Sequence, residues 1–311
     1  MPRHNRSPIL VTGAHRSGTT WVGRMLVAGG EAAYISEPLN RFHRPGVLLV
    51  PVNRWYPYIC AENQAEYLSG LRQMLQFRYH AWAEMRSLRS FKDLLRMGRD
   101  ASIFARGRLH RQRPLLKDPF AVFSAPWFAH VLDCQVVITV RHPAGFASSL
   151  KRLGWPFDFH DLLDQPLLMR DWLQPYREEM QAMLQSPDDI IGQSAILWKA
   201  IYHTVDCFQE RYPQFQVVRH EDLSLEPVPG FRTLYANLGM QFTPVVEQSV
   251  LRSSSTENPA ESSVSDRYAT QINSRASMDN WKRRLTSQEI ERVYELTRDV
   301  AKQFYSEDEW E

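Results

Sequence analysis

The sequence predicts an α/β fold, in which a P-loop-like parallel sheet is flanked by helices and carries a helical insertion. Three observations support this prediction. Short apolar runs typical of buried strands recur along the 311 residues, glycine or proline ends several of them, and segments with helical periodicity separate one from the next. Strands joined by crossover helices pair in parallel, so this order indicates one open sheet.

The strand predictions follow from apolar and β-branched content. The first strand is broken at Gly13, the second lies between Gly30 and Pro38, and the clearest has the β-branched sequence Val-Val-Ile-Thr-Val. The five predicted strands are 9–11, 32–35, 115–116, 135–140 and 215–218. The clearest predicted helices are 19–27, 144–152, 194–211, 231–238 and 287–305.

The chain is predicted to form one domain over 1–311 with an unusual insertion at 64–113. The insertion has helical periodicity, lacks a strand signal and contains eleven of the 37 Lys and Arg residues. This positive charge has two interpretations: the insertion is a solvated helical surface, or it attracts an acidic acceptor or an anionic membrane. Near the other end, residues 253–277 are rich in Ser, Asn and Asp, which predicts a long loop before the last helix.

Composition excludes several classes of protein. A hydrophobic content of 43% is too high for a disordered chain, and a net charge of +2 gives no case for a nucleic-acid partner. Cys60, Cys134 and Cys207 have no spacing of a disulfide framework or a thiolate zinc site. The first apolar run is too short for a signal peptide or a membrane span. A cytoplasmic protein is therefore expected, with peripheral membrane contact left open.

The sharpest motif is the sequence Gly-Ala-His-Arg-Ser-Gly-Thr-Thr at residues 13–20, between the first strand and the first helix. Its two glycines have the spacing of a nucleotide P-loop, whose backbone N–H groups cradle an anion. The lysine that a nucleoside-triphosphate loop needs after the second glycine is replaced by Thr19, and the cation stands earlier, at Arg16. This arrangement suits a smaller, less charged group than a γ-phosphate. A P-loop kinase or NTPase, or a non-catalytic nucleotide sensor, remains an alternative.

The residues from Arg16 to Trp21 closely resemble the loop with which sulfotransferases bind the 5′-phosphosulfate of 3′-phosphoadenosine 5′-phosphosulfate (PAPS). The family's 3′-phosphate site, an arginine after a strand and a serine eight positions later, is matched by Arg141 and Ser149. An arginine at the carboxyl end of a parallel strand and a hydroxyl on the next helix form a clamp for an anion. The resemblance implies that PAPS is bound by the loop residues Arg16, Ser17, Gly18, Thr19, Thr20 and Trp21 together with this clamp.

Two weaker similarities extend the resemblance over about residues 8 to 290. The sequence from Val217 to Leu223 resembles a family strand, with His220 where cytosolic members carry a tyrosine near the adenine. The sequence from Asn280 to Thr286 resembles the Trp-Lys motif near the C-terminus, and Arg275 is the nearest match to the basic residue that precedes it. The resemblance also implies that the loop 253–277 closes over the nucleotide.

The resemblance implies sulfuryl transfer by in-line displacement, which for a hydroxyl acceptor needs a general base. We predict no metal, because a sulfuryl group carries less negative charge than a phosphoryl group and the sequence shows no carboxylate set like a Walker B pair for Mg²⁺. The Lys-x-His base of cytosolic members is absent, because the corresponding stretch is Leu-Lys-Asp-Pro at 116–119. Carbohydrate-modifying members use a glutamate after the second strand, and Glu37 stands in that place. We therefore predict Glu37 as the base, with Arg16 and Lys117 as further catalytic residues and His15 as the alternative base.

These features place the chain closer to carbohydrate-type and bacterial sulfotransferases than to cytosolic enzymes for small phenols. The expected acceptor is a small molecule, a glycan or a lipid-linked hydroxyl. The aromatic stretch Trp-Tyr-Pro-Tyr at 55–58 is interpreted either as a stacking surface for that acceptor or as a lid packed on the sheet. Oligomeric state and the choice between O- and N-sulfation stay open.

Overall fold

A five-stranded parallel sheet forms the centre of the molecule, in a computed structural model that describes residues 7–261, 271 and 273–311. The strands are ordered β2-β3-β1-β4-β5 across the sheet. In register, Leu10 of β1 pairs with Leu116 of β3 on one side and with Val136 of β4 on the other. The strands are β1 (Ile9–Gly13), β2 (Ala32–Ser36), β3 (Arg113–Lys117), β4 (Gln135–Val140) and β5 (Gln216–Arg219). The predicted fold class is thus confirmed.

Helices connect the strands and cover both faces of the sheet. Helices α1, α5, α6 and α11 come next along the chain after β1, β3, β4 and β5, and α2 to α4 lie in the insertion between β2 and β3. In chain order the helices are α1 (Thr19–Leu26), α2 (Leu68–Leu75), α3 (Ala81–Ser87), α4 (Phe91–Leu109), α5 (Ala125–Leu132), α6 (Pro143–Leu153), α7 (His160–Leu163), α8 (Pro166–Leu168), α9 (Arg177–Leu184), α10 (Ile190–Arg211), α11 (His220–Leu225), α12 (Pro227–Asn237), α13 (Pro244–Ser254), α14 (Ser274–Met278), α15 (Asn280–Arg284) and α16 (Ser287–Ala301).

The central strand shows why the sheet is buried on both faces. Successive side chains of a strand point to opposite faces, and those of β1 enter two different apolar clusters. Leu10 belongs to the larger cluster, with Trp198 of α10, whereas Ile9 and Val11 belong to the second, with Phe231 of α12. Continuous apolar strands of this kind are typical of parallel sheets covered by helices on each side.

The insertion between β2 and β3 contains three helices rather than one continuous helical stretch. Helix α4 packs against β2, and its first turn is capped by Ser90, whose hydroxyl accepts a hydrogen bond from the Asp93 N–H at 3.2 Å. Arg44 joins the insertion to the loop after β2, because its guanidinium forms ion pairs with Glu84 of α3 and with Asp93. Glu84 is fully buried, so this arginine neutralises a charge in the interior.

Several predicted bounds are wrong by a few residues. The loop predicted at 253–277 overlaps the end of α13 and most of α14, while residues 262–270 and 272 of it lie outside the described residues. The last predicted helix ends at Ala301 rather than at 305. Helix α10 begins at Ile190 because Asp189 caps it, accepting a hydrogen bond from the Gly192 N–H at 2.9 Å. Within the described part of the chain, no helix is long and apolar enough to cross a bilayer.

Candidate active site

The predicted site residues come from five strands whose carboxyl ends meet at one edge of the sheet. Gly13 ends β1, Glu37 follows β2, Lys117 ends β3, Arg141 follows β4 and His220 follows β5. Since all five strands are parallel, residues up to 207 positions apart in the sequence are brought to the same edge. Open α/β sheets bind their ligands at this edge.

Two glycines let the chain turn from β1 into α1. Gly13 and Gly18 have φ angles of 137° and 98°, in the region that favours glycine. A Cβ atom at Gly18 would lie 2.7 Å from the Nδ1 atom of His220, and one at Gly13 would collide with Thr139. Arg16, between them, also has a positive φ of 65°. The loop is therefore held in a tight conformation that its two glycines permit.

Ser17 stabilises this loop from the inside. Its buried hydroxyl donates to the carbonyl oxygen of Ala14 at 2.5 Å and lies 2.6 Å from the hydroxyl of Thr139. Ser17 therefore contacts β4 and its own loop, and it does not line the cavity described below. Thr19 and Thr20 begin α1, where the first N–H groups of a helix have no acceptor within the helix. These N–H groups and the positive end of the helix dipole form an anion site.

Two arginines and a serine lie together beside the loop. The Nε atom of Arg16 donates to Ser149 Oγ at 3.2 Å, and Arg141 donates to the carbonyl oxygen of Arg16 at 2.9 Å. Trp198 fixes Arg141, because its indole N–H donates to the Arg141 carbonyl oxygen at 2.8 Å. Burial lowers the pKa of Arg141, while Glu221 opposes this effect. The structure thus brings the predicted loop cation and the predicted two-residue clamp into contact.

His220 and Trp21 form the wall on the other side of Gly18. Their rings meet edge to face with centroids 5.7 Å apart, and the indole N–H of Trp21 donates to Ser253 Oγ at 2.9 Å. Burial and, to a lesser degree, the charge of Arg141 lower the pKa of His220 to about 3. Its Nδ1 atom is buried and has no hydrogen-bond partner among the described residues. A neutral, flat ring with an unused polar atom suits contact with a nucleotide.

Glu37 stands immediately after β2 in a strained conformation, with a φ of 48°. One carboxylate oxygen is bound by the ammonium group of Lys117, and the other accepts a hydrogen bond from Asn40 Nδ2 at 2.7 Å. The Lys117 side chain is 1% exposed and that of Glu37 is 17% exposed. Lys117 therefore lies behind Glu37 and contacts it rather than the cavity. Its predicted role toward the donor stays a prediction.

The charge of Lys117 and the conformation of Glu37 are both maintained by neighbours. Burial by itself lowers the pKa of Lys117, but nearby acidic groups, with Tyr34 and Glu37 foremost, raise it above its usual value. Asp118 accepts hydrogen bonds from the N–H groups of Leu39 at 2.5 Å and Phe120 at 3.0 Å. Burial raises the pKa of Asp118 to about 7 against the opposing effect of the Leu39 bond. Asp118 therefore anchors the turn that presents Glu37.

The alternative base, His15, is enclosed by aromatic rings. Its Nδ1 atom lies 2.6 Å from the hydroxyl of Tyr56, which also accepts from the His15 N–H at 3.2 Å. Its ring stacks on Phe120 with centroids 6.2 Å apart and meets Phe146 edge on. Burial, together with the charge of Arg16, lowers the pKa of His15 to about 3. A neutral imidazole with so low a pKa is a weak base.

These groups surround one cavity of about 740 Å³. It is lined by nine of the predicted site residues, namely Arg16, Gly18, Thr19, Thr20, Trp21, Glu37, Arg141, Ser149 and His220. On the Glu37 side the wall is aromatic: Trp55 packs on Phe120 at 4.6 Å and meets Phe42 edge on at 5.7 Å. Trp155 and Phe157 extend this wall. One half of the cavity is thus cationic and the other half is aromatic.

The structure places Arg275 away from the cavity. Its guanidinium donates to the carbonyl oxygen of Leu225 at 2.9 Å, and another arginine, Arg284 of α15, lines the cavity instead. Arg284 forms an ion pair with Glu261 and donates to Ser148 Oγ at 3.4 Å. Sequence reasoning missed Arg284 and Arg152, although Arg284 lies within the Asn-Trp-Lys-Arg-Arg sequence that carried the resemblance. The role of Arg275 toward the nucleotide stays a prediction.

No group of three or more His, Cys, Asp or Glu side chains among the described residues is arranged to hold a metal ion. The cavity offers groups that can bind a ligand with anionic groups. It offers a helix N-terminus with its glycine loop, three converging polar side chains at Arg16, Arg141 and Ser149, and the unused Nδ1 atom of His220.

The model of the sulfotransferase family matches residues 8–244 of this chain. The chain belongs to the sulfotransferase family. The enzyme therefore transfers a sulfuryl group, and the kinase and sensor alternatives are set aside. No curated protein matches this sulfotransferase significantly in sequence.

Solved structures of sulfotransferases are similar to this sulfotransferase along most of its length. A mouse sulfotransferase, SULT7A1, complexed with 3′-phosphoadenosine 5′-phosphate (PAP), is 15% identical in sequence and has a TM-score of 0.47. The match covers 98% of this chain and 87% of that chain. The sulfotransferase domain from the curacin biosynthetic pathway is 15% identical, with a TM-score of 0.46 over 93% and 96%. The sulfotransferase STF9 from Mycobacterium avium is 15% identical, with a TM-score of 0.46 over 97% and 77%.

Proposed function

We propose that this sulfotransferase uses PAPS as its donor and transfers the sulfuryl group to a hydroxyl of an acceptor that binds against the aromatic wall, with Glu37 as the general base. The observation that carries the proposal is the division of one cavity into a cationic half at Arg16 and Arg141 and an aromatic half, with the Glu37 carboxylate beside the aromatic residues.

The donor assignment rests on two neighbouring sets of anion-binding groups, which meet where Arg16 contacts Ser149 and Arg141. The N–H groups at the start of α1 and the guanidinium of Arg16 would hold the 5′-phosphosulfate. Arg141 and Ser149 would hold the 3′-phosphate, and the rings of His220 and Trp21 would lie against the adenine of PAPS. PAPS, when bound, supplies an electrophilic sulfur whose bond to the phosphate oxygen breaks as the acceptor oxygen bonds to it.

The proposed base takes the proton that the acceptor hydroxyl loses. The Glu37 carboxylate is held in position for this role, since Asn40 and Lys117 each bind one of its oxygens and Asp118 anchors the turn that follows. His15 is the weaker candidate, because burial lowers its pKa to about 3 and its Nδ1 atom is already engaged with Tyr56. Lys117 acts here as a positioning residue for Glu37.

The aromatic wall indicates the class of acceptor. Phe42, Trp55 and Phe120 form a continuous set of ring contacts beside Asn40, which hydrogen-bonds Glu37. Faces of aromatic rings bind the apolar face of a sugar or the ring or chain of a lipid-linked or secondary-metabolite acceptor. We therefore expect an acceptor hydroxyl on a molecule with an apolar surface.

The proposal is tested by an acceptor screen with PAPS labelled in its sulfuryl group. We expect label to pass to at least one sugar, lipid-linked or polycyclic hydroxyl compound, with stoichiometric formation of 3′-phosphoadenosine 5′-phosphate (PAP). The Trp55→Ala variant should raise the KM of that acceptor while PAP affinity stays unchanged. Label that passes equally well with Trp55→Ala, or that is transferred from adenosine 5′-phosphosulfate as readily as from PAPS, would contradict the proposal.

A further inference from the structure

Helix α4 of the insertion has an inverted pattern of burial. Asp100, Phe104 and Gly107 are its buried residues and lie on one face. Since successive residues of an α-helix are separated by about 100°, Phe91, Leu94, Leu95 and Leu109 fall on the opposite face. Their side chains are 73%, 49%, 61% and 76% exposed. A helix on the surface of a globular domain normally turns its apolar stripe inward, so this outward stripe is unusual.

Cationic residues flank the stripe. Lys92, Arg99 and Arg106 follow one side of it, and all three are exposed. Helix α3 adds two exposed apolar side chains, Trp82 at 75% and Met85 at 42%. We call the exposed residues of α3, α4 and the turn between them the α3–α4 surface.

The acidic residues of this region neutralise only part of its charge. From residue 81 to 111 there are eight Lys and Arg residues and three Asp and Glu residues. Each acidic side chain already has a cationic partner: Glu84 pairs with Arg44, Asp93 pairs with Arg44 at 3.2 Å and with Arg96 at 3.5 Å, and Asp100 pairs with Arg99 at 2.8 Å. The α3–α4 surface is therefore strongly positive as well as apolar.

We propose that the α3–α4 surface docks onto an anionic lipid bilayer. A strongly acidic soluble partner would match the cations, and a neutral partner would match the apolar stripe. A bilayer with anionic headgroups matches both at once, since Trp, Phe and Leu enter the boundary of the acyl chains while Lys and Arg remain among the headgroups.

The docking surface adjoins the acceptor half of the active site. A small cleft beside α4 is lined by Arg99 and Asp100 of that helix together with Glu37, Asn40 and Phe42. Those last three residues also line the main cavity. Asp100 belongs to the buried face of α4, so docking through the outward stripe holds the Glu37 side of the cavity behind this helix, about 10 Å from the bilayer surface. A bilayer-held acceptor, an assignment that rests on the proposed function, would reach Glu37 beside the helix.

The test is sedimentation with vesicles, which needs no turnover. The enzyme is mixed with vesicles of phosphatidylcholine alone or of phosphatidylcholine with phosphatidylglycerol. We expect the enzyme to bind the vesicles that contain phosphatidylglycerol, and we expect this binding to weaken with added salt. Arg89→Gln with Lys92→Gln should weaken it about 30-fold, at about fivefold for each cation removed. Trp82→Ser with Phe91→Ser should weaken it by more than about tenfold.

Matched controls remove the same groups elsewhere on the surface. Val245→Ser with Leu251→Ser alters two exposed apolar residues of α13, and Arg298→Gln with Lys302→Gln removes two exposed cations near the end of the chain. Both controls should bind vesicles as the parent enzyme does. PAP affinity, measured on every variant, should not change, so that a loss of vesicle binding is separate from any failure of the donor assignment.

Three results would overturn the proposal. The parent enzyme fails to sediment with anionic vesicles, or the control variants lose binding as much as the α3–α4 variants do. Alternatively, gel filtration shows a dimer that the Trp82→Ser and Phe91→Ser changes convert to a monomer, in which case a second copy of the chain covers the surface.

Discussion

Replacing Glu37 by Gln separates the chemical role of this side chain from its structural role. The change keeps the shape of the side chain and removes its ability to take a proton. A general base typically contributes 10²- to 10⁴-fold to the rate, so we expect kcat to fall by about that factor. The affinity for PAP, measured by calorimetry, should stay the same, because Glu37 lies on the aromatic side of the cavity.

The same substitution should also destabilise the protein, for a reason that the structure makes explicit. Lys117 is 1% exposed, and its ammonium group pairs with Glu37. Removing one partner of a buried ion pair leaves an uncompensated charge, which costs about 3–5 kcal/mol of the free energy of unfolding. Adding Lys117→Met removes that charge. The double variant should regain most of the stability, measured by urea unfolding, without regaining turnover.

A matched control is Glu261→Gln, another carboxylate on the cavity wall. Its side chain is 37% exposed and pairs with Arg284, so its loss should cost no more than about 1 kcal/mol. Its turnover should stay within about tenfold of the parent enzyme, well short of the loss of a general base. Full turnover in Glu37→Gln would contradict the role of Glu37 as the base and favour His15. Recovery of turnover together with stability in the double variant would contradict it as well.

Two further predictions concern the loop and a buried histidine. Gly18→Ala should lower PAP affinity in calorimetry, because the new Cβ atom would lie 2.7 Å from His220 Nδ1 at a φ of 98°. The control Gly30→Ala, at a φ of 78° with no atom within 4 Å of the new Cβ, should leave PAP affinity unchanged. Equal losses of affinity in the two variants would contradict the loop geometry. Burial, with smaller contributions from nearby cations, lowers the pKa of His142 to about 3, and its ring stacks on Trp281. The unfolded chain therefore binds more protons between pH 3 and the usual histidine pKa of about 6.5, and the free energy of unfolding falls as pH is lowered through this window. His142→Phe should reduce that slope by about 1.4 kcal/mol per pH unit in urea unfolding at several pH values, and parallel slopes would contradict the pKa assignment.

Strand positions and the anion loop were predictable from sequence because both depend on local chemistry. Apolar runs mark buried strands, and a parallel sheet brings their carboxyl ends together, so Glu37 and Arg141 could be placed at the same edge without any coordinates. The glycine spacing around Arg16 predicted the loop for the same reason.

Contacts between distant side chains were not predictable. Lys117 was predicted as a catalytic residue, but its ion pair with Glu37 was not: the register of β2 with β3 pairs Ser36 with Lys117 and places the ammonium group against Glu37. The hydroxyl of Tyr56, which engages His15, comes from an irregular segment with no periodicity to reveal its direction. The outward apolar face of α4 was also missed, since periodicity indicates that a helix has two faces and does not tell which face is buried.

The most direct test of the account is a calorimetric titration of the enzyme and of its Arg141→Ala variant with PAP, adenosine 5′-phosphosulfate, and ATP with Mg²⁺. Arg141 is the proposed contact for the 3′-phosphate, and a charged hydrogen bond contributes about 1.5–3 kcal/mol, or about 10- to 150-fold in affinity. We predict that PAP binds most tightly to the parent enzyme and that Arg141→Ala weakens PAP alone by this factor. Tightest binding of ATP with Mg²⁺, or equal PAP affinity in the variant, would contradict PAPS as the donor held by this clamp.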